Sequence, residues 1–209
     1  LHDALPICEL FRLPPMTAIT ALAVTDEPRV AVGSESGDVL IVTPGDAAPV
    51  RILESDRHGG RVMALAFSGD GRILASAGMD RVVRVWVLAS GRVTRMFGPF
   101  TDHLGWVDLS HDGEVLVITG RAPATIPMRD PAVRAVRTTD GTVLRDFSEA
   151  PAVMPTRLSP DGTRVAMACF DRELRLGEIR TGVITKVESL AHSGPLRDAL
   201  WSADGLVAV

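Results

Sequence analysis

The sequence predicts an all-β fold, a β-propeller of four-stranded antiparallel blades, on three observations. First, the phrase Ser-x-Asp-Gly occurs four times, at Ser68–Gly71, Ser110–Gly113, Ser159–Gly162 and Ser202–Gly205, with successive Asp residues 42, 49 and 43 positions apart. Second, each phrase follows a short apolar run and precedes another. Asp-Gly between two such runs marks a hairpin, because Gly accepts the positive φ of a tight turn. Third, the runs are apolar on both faces, as in Val82-Val83-Arg84-Val85-Trp86. A sheet sandwiched between two neighbours demands that pattern.

The elements follow in chain order. Residues 1–7, Leu-His-Asp-Ala-Leu-Pro-Ile, resemble the translation of a short-read sequencing adapter and are set aside from fold reasoning. Segment 8–16 reads as the last strand of a lost preceding blade. Blade 1 spans 17–57, with strands at 19–24, 29–33, 39–42 and 50–53, and with Asp26-Glu27-Pro28 replacing the Asp-Gly turn. Blade 2 spans 58–101, with strands a to d at 62–67, 73–77, 82–87 and 93–97. Blade 3 spans 102–150, with strands at 106–109, 114–119, 133–137 and 142–147. Blade 4 spans 151–190, with strands at 153–158, 164–168, 174–178 and 183–187. Segment 191–209 opens a fifth blade, with a first strand at 196–201, that the chain's end cuts off.

Blade 3 departs in one spacing. From the a–b Gly to the c–d Gly is 20 residues in blades 2 and 4 but 28 in blade 3. The excess falls in 121–132, where Pro123, Pro127 and Pro131 exclude regular strand pairing and predict a long b–c loop. The chain reads as an incomplete open arc of about four blades, cut from a longer reading frame. Its cut ends are expected to expose apolar faces and to favour aggregation.

Composition narrows the functional classes. At 46% apolar and 23% charged residues, the 209-residue chain is globular. The net charge of −4, with arginines interleaved among acids, gives no basic block of the kind that binds nucleic acid or an anionic membrane. No apolar run approaches the roughly 20 residues that span a bilayer. Cys8 and Cys169 are too few for a disulfide framework, and Cys169 reads as a buried, inert thiol. Lys186 stands alone among the arginines and Tyr is absent, a codon bias that points to a GC-rich bacterial genome. Localisation stays open, with a slight lean to the cytoplasm.

The unit from His58 to Gly91 resembles the WD-repeat β-propeller family. The resemblance rests on His58, Ala66-Phe67-Ser68, Asp70-Gly71, Leu74-Ala75-Ser76, Gly78, Asp80, Val83-Arg84-Val85-Trp86 and Gly91. It implies a hydrogen-bonded structural tetrad of His58, Asp80, Ser76 and Trp86. A His–Asp–Ser catalytic triad could be read from the same residues, but satisfaction of buried polar groups is the stronger reading. His192 precedes Asp204 at the spacing of His58 before Asp70, whereas His103 stands closer to Asp112. The other blades depart from the pattern: the Trp86 position is Val136 in blade 3 and Gly177 in blade 4. A complete tetrad is therefore expected in blade 2 alone.

No His/Cys/Asp spacing of zinc-site type, no phosphate-cradling Gly loop and no cofactor motif is visible, so no catalytic residue, metal site or cofactor is assigned. The resemblance implies a scaffold that binds protein partners through the face carrying the b–c loops and the loops entering each strand a. Arg61, Met79, Arg121, Met128, Arg129 and Phe170 are the partner-binding candidates, since they fall on or near that face. The alternative reading is a regulatory propeller module of a larger enzyme, such as a bacterial protein kinase or NTPase. A propeller enzyme is the third reading.

Overall fold

Three of the four recurrent phrases fold into one and the same turn. In the first, Ser68 Oγ donates to Asp70 Oδ1 at 2.7 Å and accepts the Ile73 N–H at 3.0 Å, while Asp70 Oδ1 also takes the Arg72 N–H at 3.0 Å. Ser110 with Asp112 and Ser159 with Asp161 repeat the arrangement. The Gly closing each turn sits at φ 68°, 73° and 69°, left-handed values that exclude a Cβ without strain. Ser and Asp thus satisfy the turn amides that no strand can reach, which explains why this phrase recurs.

The computed structural model describes residues 18–25, 29–43, 50–51, 56–120, 133–147, 153–169, 171–187, 196, 199–202 and 207–208. The fold is all-β, with no α-helix among the described residues. It consists of four four-stranded antiparallel sheets and a two-stranded pair, each sheet ordered as its strands occur in the chain. The first sheet holds β1 (Ile19–Val24), β2 (Val30–Ser34), β3 (Val39–Val42) and β4 (Val50–Arg51). The second holds β5 (Val62–Phe67), β6 (Ile73–Gly78), β7 (Val83–Val87) and β8 (Arg92–Phe97). The third holds β9 (Leu104–Leu109), β10 (Val115–Gly120), β11 (Val133–Arg137) and β12 (Val143–Asp146). The fourth holds β13 (Val153–Leu158), β14 (Arg164–Cys169), β15 (Leu174–Glu178) and β16 (Ile184–Lys186). β17 (Leu200–Trp201) pairs with β18 (Val207–Ala208).

These are propeller blades: among the described residues no strand crosses between sheets, and the sheets do not close into a barrel. The first strands of successive sheets pack side by side, β1 on β5, β5 on β9 and β9 on β13. The loop 121–132, the turn at 26–28, segments 1–17 and His192 lie outside the described residues. The strand expected at 196–201 is seen as strand only at Leu200–Trp201. Leu196 and Ala199 instead pack against Ala166, Ala168 and Leu174 of the fourth sheet.

The cores lie between sheets rather than within them. Ala31, Val39 and Ile41 of the first sheet meet Val62, Leu65, Leu74 and Trp86 of the second. Ala64, Ala75, Ala77 and Val85 on the second sheet's other face meet Leu104, Val107 and Leu109 of the third. Small residues on one face against large ones on the next let the sheets interdigitate at close approach. Gly33 shows how close: a Cβ there would stand 2.6 Å from the Val62 side chain. Blade 4 solves its missing indole the same way, since a Cβ at Gly177 would stand 2.7 Å from the Phe147 ring, which follows β12 of the preceding blade. Phe147 thus fills the volume that Trp86 occupies in blade 2.

Hydrogen bonds sew the blades together at both radii. Near the centre, Thr20 Oγ1 donates to the Val62 carbonyl at 2.7 Å, and Asp108 Oδ2 accepts the Leu158 N–H at 2.8 Å. At the rim, an arginine of each of two outer strands reaches the c–d turn of the next blade. Arg95 donates to the Thr139 carbonyl at 2.6 Å, and Arg145 to the Ile179 and Arg180 carbonyls at 2.9 and 2.7 Å.

Candidate functional site

In blade 2 a buried polar chain fixes the end that carries the b–c turn. Trp86 and Ser76 lie on neighbouring strands paired β6 to β7, and the Trp86 indole N–H donates to Ser76 Oγ at 2.9 Å. Ser76 Oγ lies 2.7 Å from His58 Nε2, and His58 Nδ1 lies 3.0 Å from Asp80 Oδ1. We assign the tautomer from the network: Ser76 gives its proton to Nε2, which leaves Nδ1–H to donate to Asp80. Asp80 Oδ2 takes the Gly59 N–H at 3.0 Å, and His58 N–H donates to the Gly37 carbonyl of the first sheet at 3.0 Å. The loop ahead of strand a is thereby tied to the b–c turn and to the neighbouring blade.

A fifth member joins these four. Arg84, on β7 beside Trp86, joins through Asp80, donating from Nη1 to Oδ2 at 2.8 Å; the same nitrogen lies 2.7 Å from His58 Nδ1, two donors crowded on one carboxylate. Its buried Nε has no hydrogen-bond partner among the described residues. Burial, aided by the Arg84 charge and opposed by Asp80, lowers the His58 pKa below its ordinary value, so the ring is neutral. Burial works to raise the Asp80 carboxyl, but the hydrogen bonds from His58, Gly59 and Arg84 outweigh it and hold the group well below the usual carboxylate range. With Ser76 committed between two partners and His58 fully buried, this cluster has no reach to a substrate. It can set the shape of the face above it.

That face bears the candidates. Met79 is 48% exposed and its N–H donates to the Arg61 carbonyl at 2.8 Å, so turn and loop lie side by side. Gly60 lies under Met79, where a Cβ would be in ordinary contact with the Met79 Cβ at 3.7 Å. Arg61 is exposed. Arg121, Met128, Arg129 and Phe170 lie outside the described residues. His103 is exposed and joins no polar chain like that of His58. Cys169 is buried, and burial pushes its thiol up.

Sequence reasoning missed two features. One is Arg84; the signal was the Asp80/Arg84 spacing repeated as Asp171/Arg175, whose side chains also pair, at 2.6 Å. The other is the Asp-Arg dipeptide in each of those turns. Arg81 and Arg172 take φ 65° and 70°, the left-handed region that Gly37 occupies in the first sheet at φ 92°. A side chain there costs about 1–2 kcal/mol relative to a residue that tolerates it.

On the opposite face, a groove of about 260 Å³ runs between the ends of the inner strands, lined by Phe67, Asp108, His111, Leu158, Pro160 and Trp201. Two of its polar side chains are engaged: Asp108 accepts the Leu109 and Leu158 amides, and the Trp201 indole donates to the Arg157 carbonyl. Among the described residues no group of three His, Cys, Asp or Glu side chains could hold a metal ion.

Comparison with known proteins agrees with this architecture. Residues 48–87 match the family described as "WD domain, G-beta repeat". Over 97% of its length the chain is 23% identical to the angio-associated migratory cell protein of Homo sapiens, covering 48% of that protein. It is 27% identical over 71% of its length to Protein HIR1 of Kluyveromyces lactis, covering 20% of it. A 47-residue stretch, 22% of the chain, is 47% identical to WD repeat-containing protein 44 of Xenopus laevis, 5% of that protein. The chain spans about half the length of the first of these relatives.

Proposed function

The chain is a WD-repeat protein, and from that premise we propose that it is a non-catalytic scaffold docking a protein partner on the face of the b–c turns. The observation that carries the reading is the exposed Met79, held beside Arg61 above a hydrogen-bonded chain of Asp80 and the fully buried His58, Ser76 and Trp86. Such a base fixes the turn and the loop relative to each other, so binding meets a preformed surface. An exposed large apolar side chain with arginines around it has the make-up of a binding hot spot. Arg121, Met128, Arg129 and Phe170 extend the proposed surface by their positions in sequence.

A photo-crosslinking residue at position 79, set against one at Met96 on the outer strand β8, tests this. Met96 is 60% exposed, so accessibility alone cannot favour position 79. In cells, a discrete protein adduct is expected from position 79 and not from position 96. Equal labelling from both would remove the docking role of this face.

A further inference from the structure

In residues 56–61, the loop ahead of β5, His58 is the one buried side chain, and it is fully buried. Arg57, Gly59 and Arg61 are exposed. The loop is therefore held by one ring and a few backbone groups rather than by a core. His58 N–H donates to the Gly37 carbonyl, Gly59 N–H to Asp80 Oδ2, and Met79 N–H back to the Arg61 carbonyl, at 3.0, 3.0 and 2.8 Å. The slot for the ring has no slack, since a Cβ on Gly78 would stand 2.2 Å from Nδ1. Nor has it a place for a second proton. Nδ1 gives its hydrogen to Asp80, and Nε2 takes the hydroxyl hydrogen of Ser76, whose oxygen already accepts the Trp86 indole. A proton on Nε2 would meet that hydroxyl hydrogen, and Ser76 Oγ has no other partner among the described residues to receive it. It would also charge a ring whose Nδ1 lies 2.7 Å from the Arg84 guanidinium. Asp80 offsets that charge, but it already serves Arg84 and the Gly59 amide. The remaining charged groups of the packed elements are Glu35 and Asp38 in the β2–β3 turn, Arg81 beside Asp80, and Asp56, Arg57 and Arg61 in the loop itself. Of these, Asp38 is bonded to Ser36 at 2.6 Å.

We propose that His58 is a pH-sensitive latch: on acidification its ring takes up a proton by leaving the slot, and residues 56–61 part from the b–c turn while the strands of blade 2 stay paired. The latch operates whether or not a partner docks on this face. Out of the slot the ring titrates at the ordinary 6.5; within it, burial and Arg84 keep it neutral to lower pH. The closed loop is thus fully favoured above 6.5 and loses ground as pH falls through that value. Asp80 adds no slope in this window, because its carboxyl is ionised there both in the closed loop and at its ordinary 3.8. Opening draws out one imidazole and no apolar side chain of the loop, so the loop can part without the sheet.

Hydrogen exchange on the full chain, with protection factors corrected for the intrinsic effect of pH, tests this. The Gly59 and Met79 amides report the latch, and amides in the middle of β6 and β7 report the sheet. Between pH 8 and about pH 5.5, protection at Gly59 and Met79 should fall by up to about tenfold. Low, non-denaturing urea should leave it nearly unchanged while hastening exchange in the strands, because a small opening exposes little surface. His58→Gln should abolish the acid effect, and Arg84→Gln should shrink it, because the closed ring then tolerates a proton better. His103→Gln, which removes an exposed imidazole, should leave it intact. Protection at Gly59 and Met79 that ignores pH would overturn the proposal. So would a fall that follows the strands in urea, since the opening would then be global. An acid effect undiminished in His58→Gln, or in Arg84→Gln should His58→Gln fail to fold, would overturn it too.

Discussion

His58 carries the pH response of blade 2. Its folded pKa lies below the ordinary 6.5, because burial and Arg84 oppose the charged ring. The unfolded chain therefore binds the proton more readily, and folding stability is complete above 6.5 and declines as pH falls through that value toward the folded pKa. Asp80 has the same sign at lower pH: its stabilisation is present above the ordinary 3.8 and is lost as acid protonates it. The thermal midpoint should accordingly fall between pH 8 and pH 5, and His58→Gln should flatten that part of the curve. Parallel curves for the two proteins would refute the assignment. The turn acids add to the lower limb. Burial tends to raise Asp70, but its bonds from Ser68 and Arg72 bring it down to about 2.

The arginine at the rim is the device of the element scale. Arg145 leaves β12 and donates to two carbonyls of the next blade's c–d turn, packing its guanidinium on Gly182, where a Cβ would stand 3.0 Å from Nη1. Arg145→Ala should cost about 1–2 kcal/mol, two hydrogen bonds at the usual net worth, read by denaturant unfolding. A change within a few tenths would mean that water replaces both bonds without loss. The strand grammar itself was legible in the sequence, because Ser-x-Asp-Gly turns are local: the Asp70 and Ser68 side chains take the Arg72 and Ile73 amides within six residues. His58, Ser76, Asp80 and Trp86 were legible as a set only through family resemblance, since 28 residues separate its ends. Phe147 against Gly177 and the rim arginines were not legible. Each acts on a neighbour in the stack, and no local spacing records which face of a two-sided apolar strand meets which blade.

At the scale of the whole molecule, each sheet is buried by its neighbours, so stability is distributed like that of a linear array. The far face of the first sheet is apolar and largely buried as well. There the positions of Ser76, Arg84 and Trp86 are taken by Val32, Leu40 and Val42, an apolar cluster of their own. Alongside it Leu22 and Val24 stand 62% and 73% exposed. Adjacent exposed apolar side chains on an inner strand invite association. Leu22→Lys with Val24→Lys should reduce concentration-dependent self-association in sedimentation velocity while leaving the unfolding midpoint nearly unchanged. Undiminished association would place the sticky surface elsewhere.

The ring of Phe147 resting on Gly177 bears on how such a chain can evolve. Repeats arise by copying, and copies recombine freely only while they remain interchangeable. A unit bearing that glycine, transposed behind a neighbour with no aromatic ring at that place, would arrive with an unfilled hole; blade 2, whose Phe97 stands where blade 3 has Phe147, could still plug it. An ancestral duplication has in this way become an order with limits on which copy can follow which.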